Sequence, residues 1–268
     1  MEGLSLRVIR ARFSFMARET IRFPALAANS LRGAVGTSLP PELFRPPAPE
    51  AGPSGLQTPP PPFVLRAANL NHRRFDRGQR FEVTSSIFVT EPHVLRQLAL
   101  AFGVLKESGI GPTRGRAALE DVQTEELEFD LSPGPPCGRV ELRFNSPTEL
   151  KGHPSLTVVP PFGVVMARVR DRVSTLRALY QGGAAQADFA GMGKRALEVR
   201  LVEGEVAPLE AERKSSRTQE RHPLNGFVGH AIYEGELSEF LPWLKAAEAT
   251  GVGRHTVWGF GEVNVTAL

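Results

Sequence analysis

A chain of 268 residues with 41% hydrophobic and 23% charged residues has the composition of an ordinary globular protein and the length of about two domains. Its formal charge of +3 and pI near 9.3 favour an anionic partner without requiring one, so any case for nucleic acid must rest on local clusters. The single cysteine, Cys137, excludes an internal disulfide or a thiolate metal cage built from this chain alone; the absence of an apolar signal core or a ~20-residue apolar span points to a cytoplasmic protein with no membrane partner.

In chain order, Leu4, Leu6, Val8, Phe13 and Phe15 keep a period near two, which predicts an opening strand over 4–15 with one buried face. Leu26, Leu31, Val35 and Leu39 at near-helical spacing predict a helix over 25–39, stopped by Pro40 and Pro41. Residues 40–62 are too rich in proline for a helix or an internal strand, and their flanks make them an insertion within the first domain. Strands over 63–66 and 80–89 follow. A helix over 94–105 carries Leu95, Leu98, Phe102 and Leu105 on one side, then a glycine-rich turn, GIGPTRG, leads into a further strand. Strand, helix, strand, strand, helix, strand is the order of a ferredoxin-like domain.

The segment 132–138, SPGPPCG, reads as the inter-domain linker. Beyond it the theme returns: a strand at Val140, Leu142 and Phe144, a helix over 162–180 with an arginine-rich outer face, strands near 198–203 and 226–233, and a short helix over 240–249. Residues 213–219 are expected as a hairpin arm between those two strands. The chain then closes on GVGRHTVWGFGEVNV, matching the helix, glycine loop and strand ending of the first half, an internal repeat. The expected fold is therefore α+β, two tandem ferredoxin-like (RRM-like) domains spanning 1–131 and 139–268.

Four segments resemble landmarks of the CRISPR-associated RAMP superfamily, in its Cas6-type branch that processes precursor guide RNA: LRGAVGTSL at 31–39, ESGIGPTRGR at 107–116, SPTELKG at 146–152, and above all 226–265. The resemblance implies two RRM-like domains facing across a groove, and an endoribonuclease that cuts CRISPR repeat RNA (precursor crRNA) without a metal. The 2′-hydroxyl would attack the neighbouring phosphate to give a cyclic phosphate and a 5′-hydroxyl. Subunits of a CRISPR effector complex and a second copy of the chain are the protein partners it leaves open, and a non-catalytic guide-RNA-binding subunit is the rival reading.

Glycines next to a phosphate backbone let N–H groups approach the oxygens. Gly251, Gly253, Gly259 and Gly261, with Arg254 between them, are thus expected RNA contacts, although plain packing would need glycine equally. Arg213, Lys214, Arg217 and Arg221 on the hairpin arm, Arg32 in the first-helix motif, and Arg114 and Arg116 in the first glycine turn are the other expected contacts; a solvated strand edge protected by charge explains the arm as well. Cleavage needs a base, an acid and cations, and histidine suits the first two roles. Of His72, His93, His153, His222, His230 and His255, none lies after LRGAVG, where the resembled family often carries its catalytic histidine. His255 in the glycine loop and His222 near the hairpin tip are the candidates. No P-loop, catalytic-triad or zinc spacing is present, so no cofactor is expected.

Overall fold

The computed structural model describes residues 4–47, 58–111, 113–214 and 221–268, the side chains of 210–224 excepted. The first half runs β1 (Ser5–Ala17), β2 (Ile21–Arg22), α1 (Ala27–Val35), α2 (Pro41–Phe44), β3 (Phe63–Arg66), β4 (Arg74–Phe75), β5 (Arg80–Ile87), α3 (His93–Gly103), α4 (Leu105–Ser108) and β6 (Ala117–Asp130). The second runs β7 (Arg139–Thr148), α5 (Phe162–Tyr180), α6 (Phe189–Ala196), β8 (Arg200–Lys214), β9 (Arg221–Glu234), α7 (Leu241–Thr250) and β10 (Val263–Ala267). Two antiparallel four-stranded sheets result, ordered β3-β5-β1-β6 and β10-β7-β9-β8, with β2 and β4 forming a separate ribbon. In each sheet the first strand of its half lies between the third and the last, which is the ferredoxin-like order twice over.

Phenylalanine fills the first core. Phe102 on α3 packs 4.6 Å from Phe13 and 5.4 Å from Phe15 between ring centroids, and Phe15 stacks on Phe81. The second core gathers Phe162, Tyr233 and Phe240 edge to face at 5.2 Å, with Trp243 of α7 fully enclosed.

β1 shows how the halves join. Ala11, Phe13, Phe15 and Ala17 are buried in the first core, whereas Leu6 and Val8, on the opposite parity, are buried in the second. Successive side chains of a strand point to opposite faces, so the start of β1 turns one face of its sheet to the helices of the other half. Hydrogen bonds fix this contact: the Gln181 amide bonds the backbone of Arg7 and donates to Phe88 O at 2.9 Å, and Arg177 Nε donates to Ser5 O at 2.9 Å.

Several elements differ from the sequence expectation. The first helix is shorter, because the chain turns at Gly36 and leaves Leu39 buried beyond it. The charged run over 117–130 is one 14-residue strand, mostly exposed, since β6 is a sheet edge. Of the expected hairpin arm, residues 213 and 214 belong to β8, which pairs with β9 from Arg200↔Glu234 to Lys214↔Arg221, and residues 215–219 lie outside the described residues. Pro208 sits on edge strand β8, and Pro223 lies past Phe227, the last residue of β9 that pairs with β7; neither position demands an N–H toward a further strand. Within the proline-rich insertion, residues 41–44 form one helical turn that buries Leu43, and residues 48–57 lie outside the described residues. No described helix is long and apolar enough to cross a membrane.

Truncating Leu6 tests the shared face. Leu6→Ala should destabilise the chain by about 2–5 kcal/mol, the range for a fully buried leucine, read from the urea midpoint; a loss under about 0.5 kcal/mol would mean that the start of β1 faces solvent.

Candidate active site

The glycine-rich loop joins α7 to β10 and is seated by backbone contacts too close for any side chain. Gly253 and Gly261 have φ +81° and +64°, and a Cβ would lie 2.2 Å from Glu149 O and 1.9 Å from Val252 O respectively. Gly259, at φ +84°, would drive a Cβ to 2.2 Å from the Cβ of Ala28 on α1. At Gly251, φ +76°, a Cβ would lie 2.9 Å from Arg66 Nη2. The dock on the second half is the SPTEL stretch: Arg254 N donates to Glu149 O and Gly261 N to Pro147 O, each at 3.0 Å, and Glu262 N donates to Ser146 Oγ at 2.9 Å. All four glycines therefore have a packing reason to be glycine. The loop bridges the halves, touching β7's end on one side and α1 on the other.

His255 sits at the crest of this loop in the left-handed conformation, φ 60°. Its ring stacks on Trp258 with centroids 4.4 Å apart and planes 5° from parallel, and Phe260 meets it edge-on at 5.8 Å. Nε2 lies 3.3 Å from Glu149 Oε2, while Arg254 Nη1 donates to Oε1 of the same carboxylate at 2.7 Å. On the far side, the Arg32 guanidinium carbon lies 5.4 Å from the Trp258 ring centre and 5.1 Å from that of Phe44. Guanidinium, indole and imidazole thus form one column across the junction, with cation–π attraction of about 0.5–2 kcal/mol per contact. Two expected residues, Arg32 and His255, are brought together this way although 223 positions separate them.

Other expected residues are placed apart from the column. Arg254 is ion-paired with Glu149 yet exposed; such pairs are weak enough to exchange for a phosphate. Arg116 binds Glu19 at 2.5 Å, and this carboxylate holds the guanidinium above its ordinary pKa while its own is lowered. Arg114 is exposed in a left-handed turn. Arg213 pairs with His222 and Lys214 with Arg221 at the far end of the β8–β9 ribbon. Arg217 lies outside the described residues. Among the other histidines, His153 Nε2 meets Val158 O at 2.8 Å, and His230 pairs in mid-sheet with Arg143 and Glu205. Thr37 and Ser38 are exposed just past α1. Among the described residues no cluster of His, Cys, Asp and Glu could hold a metal ion.

Residues that the sequence did not single out complete the site. Trp258 and Glu149 were both visible within landmark segments, but their pairing with His255 is a tertiary fact. Arg66 of β3 donates to Ala249 O at 3.1 Å and Arg172 of α5 to Thr250 O at 2.7 Å, so both cations cap the C-terminal carbonyls of α7 directly before the loop. Burial lowers the pKa of Arg66, with Glu262 opposing; burial, then the like charge of Arg66, brings that of Arg172 down to about 9.

Two ferredoxin-like units with a glycine-rich loop of the second seated on the first helix define a class of tandem-domain protein, and comparison with known proteins identifies it. Residues 142–263 match the family model described as CRISPR-associated endoribonuclease Cas6, and residues 40–130 match one described as an N-terminal domain. In fold the chain is similar to a Cas6 product complex (16% identity, TM-score 0.63, 97% of this chain and 99% of that one). It is likewise similar to the product complex of a second Cas6 (22%, 0.61, 97% and 100%) and to Cas6 of Thermus thermophilus (15%, 0.61, 98% and 99%). No curated protein matches it in sequence. The match to the Cas6 endoribonuclease family model thus covers residues 142–263, and the similarity in fold to Cas6 structures extends over 97% of the chain.

The two kinds of glycine should respond oppositely to alanine. Gly259→Ala meets both a positive φ and Ala28 and should lower stability by more than about 1–2 kcal/mol, the left-handed cost alone. Gly33→Ala, in α1 with nothing within 4 Å of the new Cβ, should raise it by about 0.5–1 kcal/mol. Thermal unfolding of both variants checks the pair.

Proposed function

We infer that this protein cuts precursor CRISPR RNA within its repeats, without a metal ion, by attack of the 2′-hydroxyl on the adjacent phosphorus. The O2′–P bond forms as the P–O5′ bond breaks; a base takes the 2′ proton and an acid supplies one to the departing 5′ oxygen, leaving a 2′,3′-cyclic phosphate and a 5′-hydroxyl. One observation carries this reading: His255, the histidine of the glycine-rich loop, stands in a single stacked column with Arg32 of α1, at the junction of the two halves. In this reading the column brings a proton-exchanging ring beside Arg32 of α1, the helix after whose LRGAVG motif the resembled family often carries its catalytic histidine. Stacking and the Glu149 carboxylate hold the imidazole in one orientation, and Arg32 with Arg254 supplies positive charge for the crowded phosphate.

The loop backbone and the cationic ribbon end carrying Arg213, Lys214, Arg217 and Arg221 then track the phosphates of the repeat. The two domains are taken as 1–131 and 139–268. His222, across from Arg213 in the ribbon, is the second candidate for proton transfer. The rival reading, a guide-RNA-binding subunit of an effector complex that does not cut, is favoured by one feature, the lack of any histidine in 27–44.

Incubation with the cognate repeat RNA in excess chelator separates the readings. Cutting with a cyclic-phosphate end supports the nuclease; tight binding with intact RNA supports the subunit. In single-turnover reactions His255→Ala should slow cutting by about 10²–10⁴-fold with RNA affinity nearly unchanged. Parental rates in His255→Ala combined with a loss in His222→Ala would move the role to the ribbon, and parental rates in both would leave catalysis to the arginines. Neutralising Arg213, Lys214, Arg217 and Arg221 together should weaken binding and flatten its dependence on salt; an unchanged salt slope counts against their contact with RNA.

A further inference from the structure

Beside the glycine-rich loop, where the two halves meet, lies a cleft of about 360 Å³ whose walls include Lys151, Arg168, Arg172, Thr175 and Arg254. Thr58 and Pro60, from the end of the proline-rich insertion, close it on the first half's side. Its one acidic lining residue, Asp171, is already shared between Arg168 at 3.1 Å and Arg170 at 2.7 Å. Four cations against one doubly paired carboxylate leave the cleft positive.

Arg172 is the informative group. Its Nε is spent on Thr250 O, and among the described residues its two terminal nitrogens have no hydrogen-bond partner and it makes no ion pair. Arg66 stands close enough behind it to depress its pKa, and Arg66 Nε and Nη1, together with Arg168 Nε, are buried with no hydrogen-bond partner. Arg66 is buried and Arg172 half-buried, and among the described residues neither has a carboxylate within ion-pair distance; like charges held this close are costly, and an anion relieves that cost. The carbonyl end of α7 offsets part of the charge at Arg66 and Arg172; it does nothing for the donors that open into the cleft.

We propose that this cleft is a binding site for one phosphate group, with Arg172 at its floor and Lys151 and Arg254 at its rim. The site rests on the RNA-processing reading only for the source of its ligand, which is either a backbone phosphate of the repeat RNA or a free phosphate such as that of a mononucleotide. It lies outside the ribbon and the column that carry the cutting reading and shares Gly253 and Arg254 with the loop.

The full chain is titrated with repeat RNA bearing a 2′-deoxy sugar at the cut position, so that binding is measured whether or not the protein cuts. Lys151→Gln changes an exposed side chain and leaves the fold intact; Arg172→Gln is compared with it after its melting temperature is recorded. If RNA supplies the phosphate, each variant should bind about 10-fold more weakly, as for one lost charge-assisted hydrogen bond. The slope of log K against log salt should become shallower by about 0.7–0.9. In a second arm, inorganic phosphate is added without RNA: a rise in melting temperature of the parent that both variants lose, with RNA binding unaltered, assigns the site to a free phosphate. Variants that keep the parental RNA affinity, salt slope and phosphate response overturn the proposal. A parent that binds deoxy-substituted RNA through this cleft but leaves normal RNA uncut would instead sink the nuclease reading and leave the site standing.

Discussion

The approach of the glycine-rich loop to its two supports is the constraint on which the rest depends. At Gly253, Gly259 and Gly261 the neighbouring atoms stand where a Cβ would be, and all three backbones are left-handed. A loop pressed this closely against Glu149 on one side and Ala28 on the other has little freedom to shift against either. His255 and Trp258 inherit that placement, and α1, which belongs to the other half, becomes one wall of the site.

The same junction carries the chain's most expensive charges. Arg66 and Arg172 lie at the carbonyl end of α7, one from each half, and among the described residues neither is matched by a carboxylate within ion-pair distance. A hydrophobic pair of similar size would hold the halves together at less cost. Cations kept at such a place beside a loop seated for function are more easily understood as charge provided for an anion than as adhesive.

Charge is also segregated over the surface in a way that the net value of +3 conceals. The exposed edge strand β6 carries Glu120, Asp121, Glu125, Glu126 and Glu128, of which Glu125 pairs with Arg10 of β1 and Glu120 with Arg80 of β5. Acidic side chains on a long edge discourage both strand addition and approach of a polyanion. Lys151 and Arg254, on the walls of the cleft beside the glycine-rich loop, are exposed and carry the opposite sign.

Sequence periodicity by itself determined the element order of both halves, because buried strand faces and helix stripes must repeat at 2 and 3.6 residues wherever a core forms. The helix over 162–180 coincides with α5, and the doubled helix, glycine loop and strand ending foretold two equivalent sheets. Local pattern left the extent of β6 and of the start of β8 unread, since largely exposed edge residues, 120–130 in β6 and 200–205 in β8, lack an apolar period to read. The parity change within β1 was also beyond it: Leu6 and Phe13 look alike in sequence, and only the arrival of α5 and α7 on the opposite face distinguishes them. The site shows the same division. Glycine spacing announced a special loop and put His255 within it. That the ring would meet Glu149 and share a column with Arg32 was decided by packing between segments more than a hundred residues apart, because contacts of that range leave no mark on local periodicity.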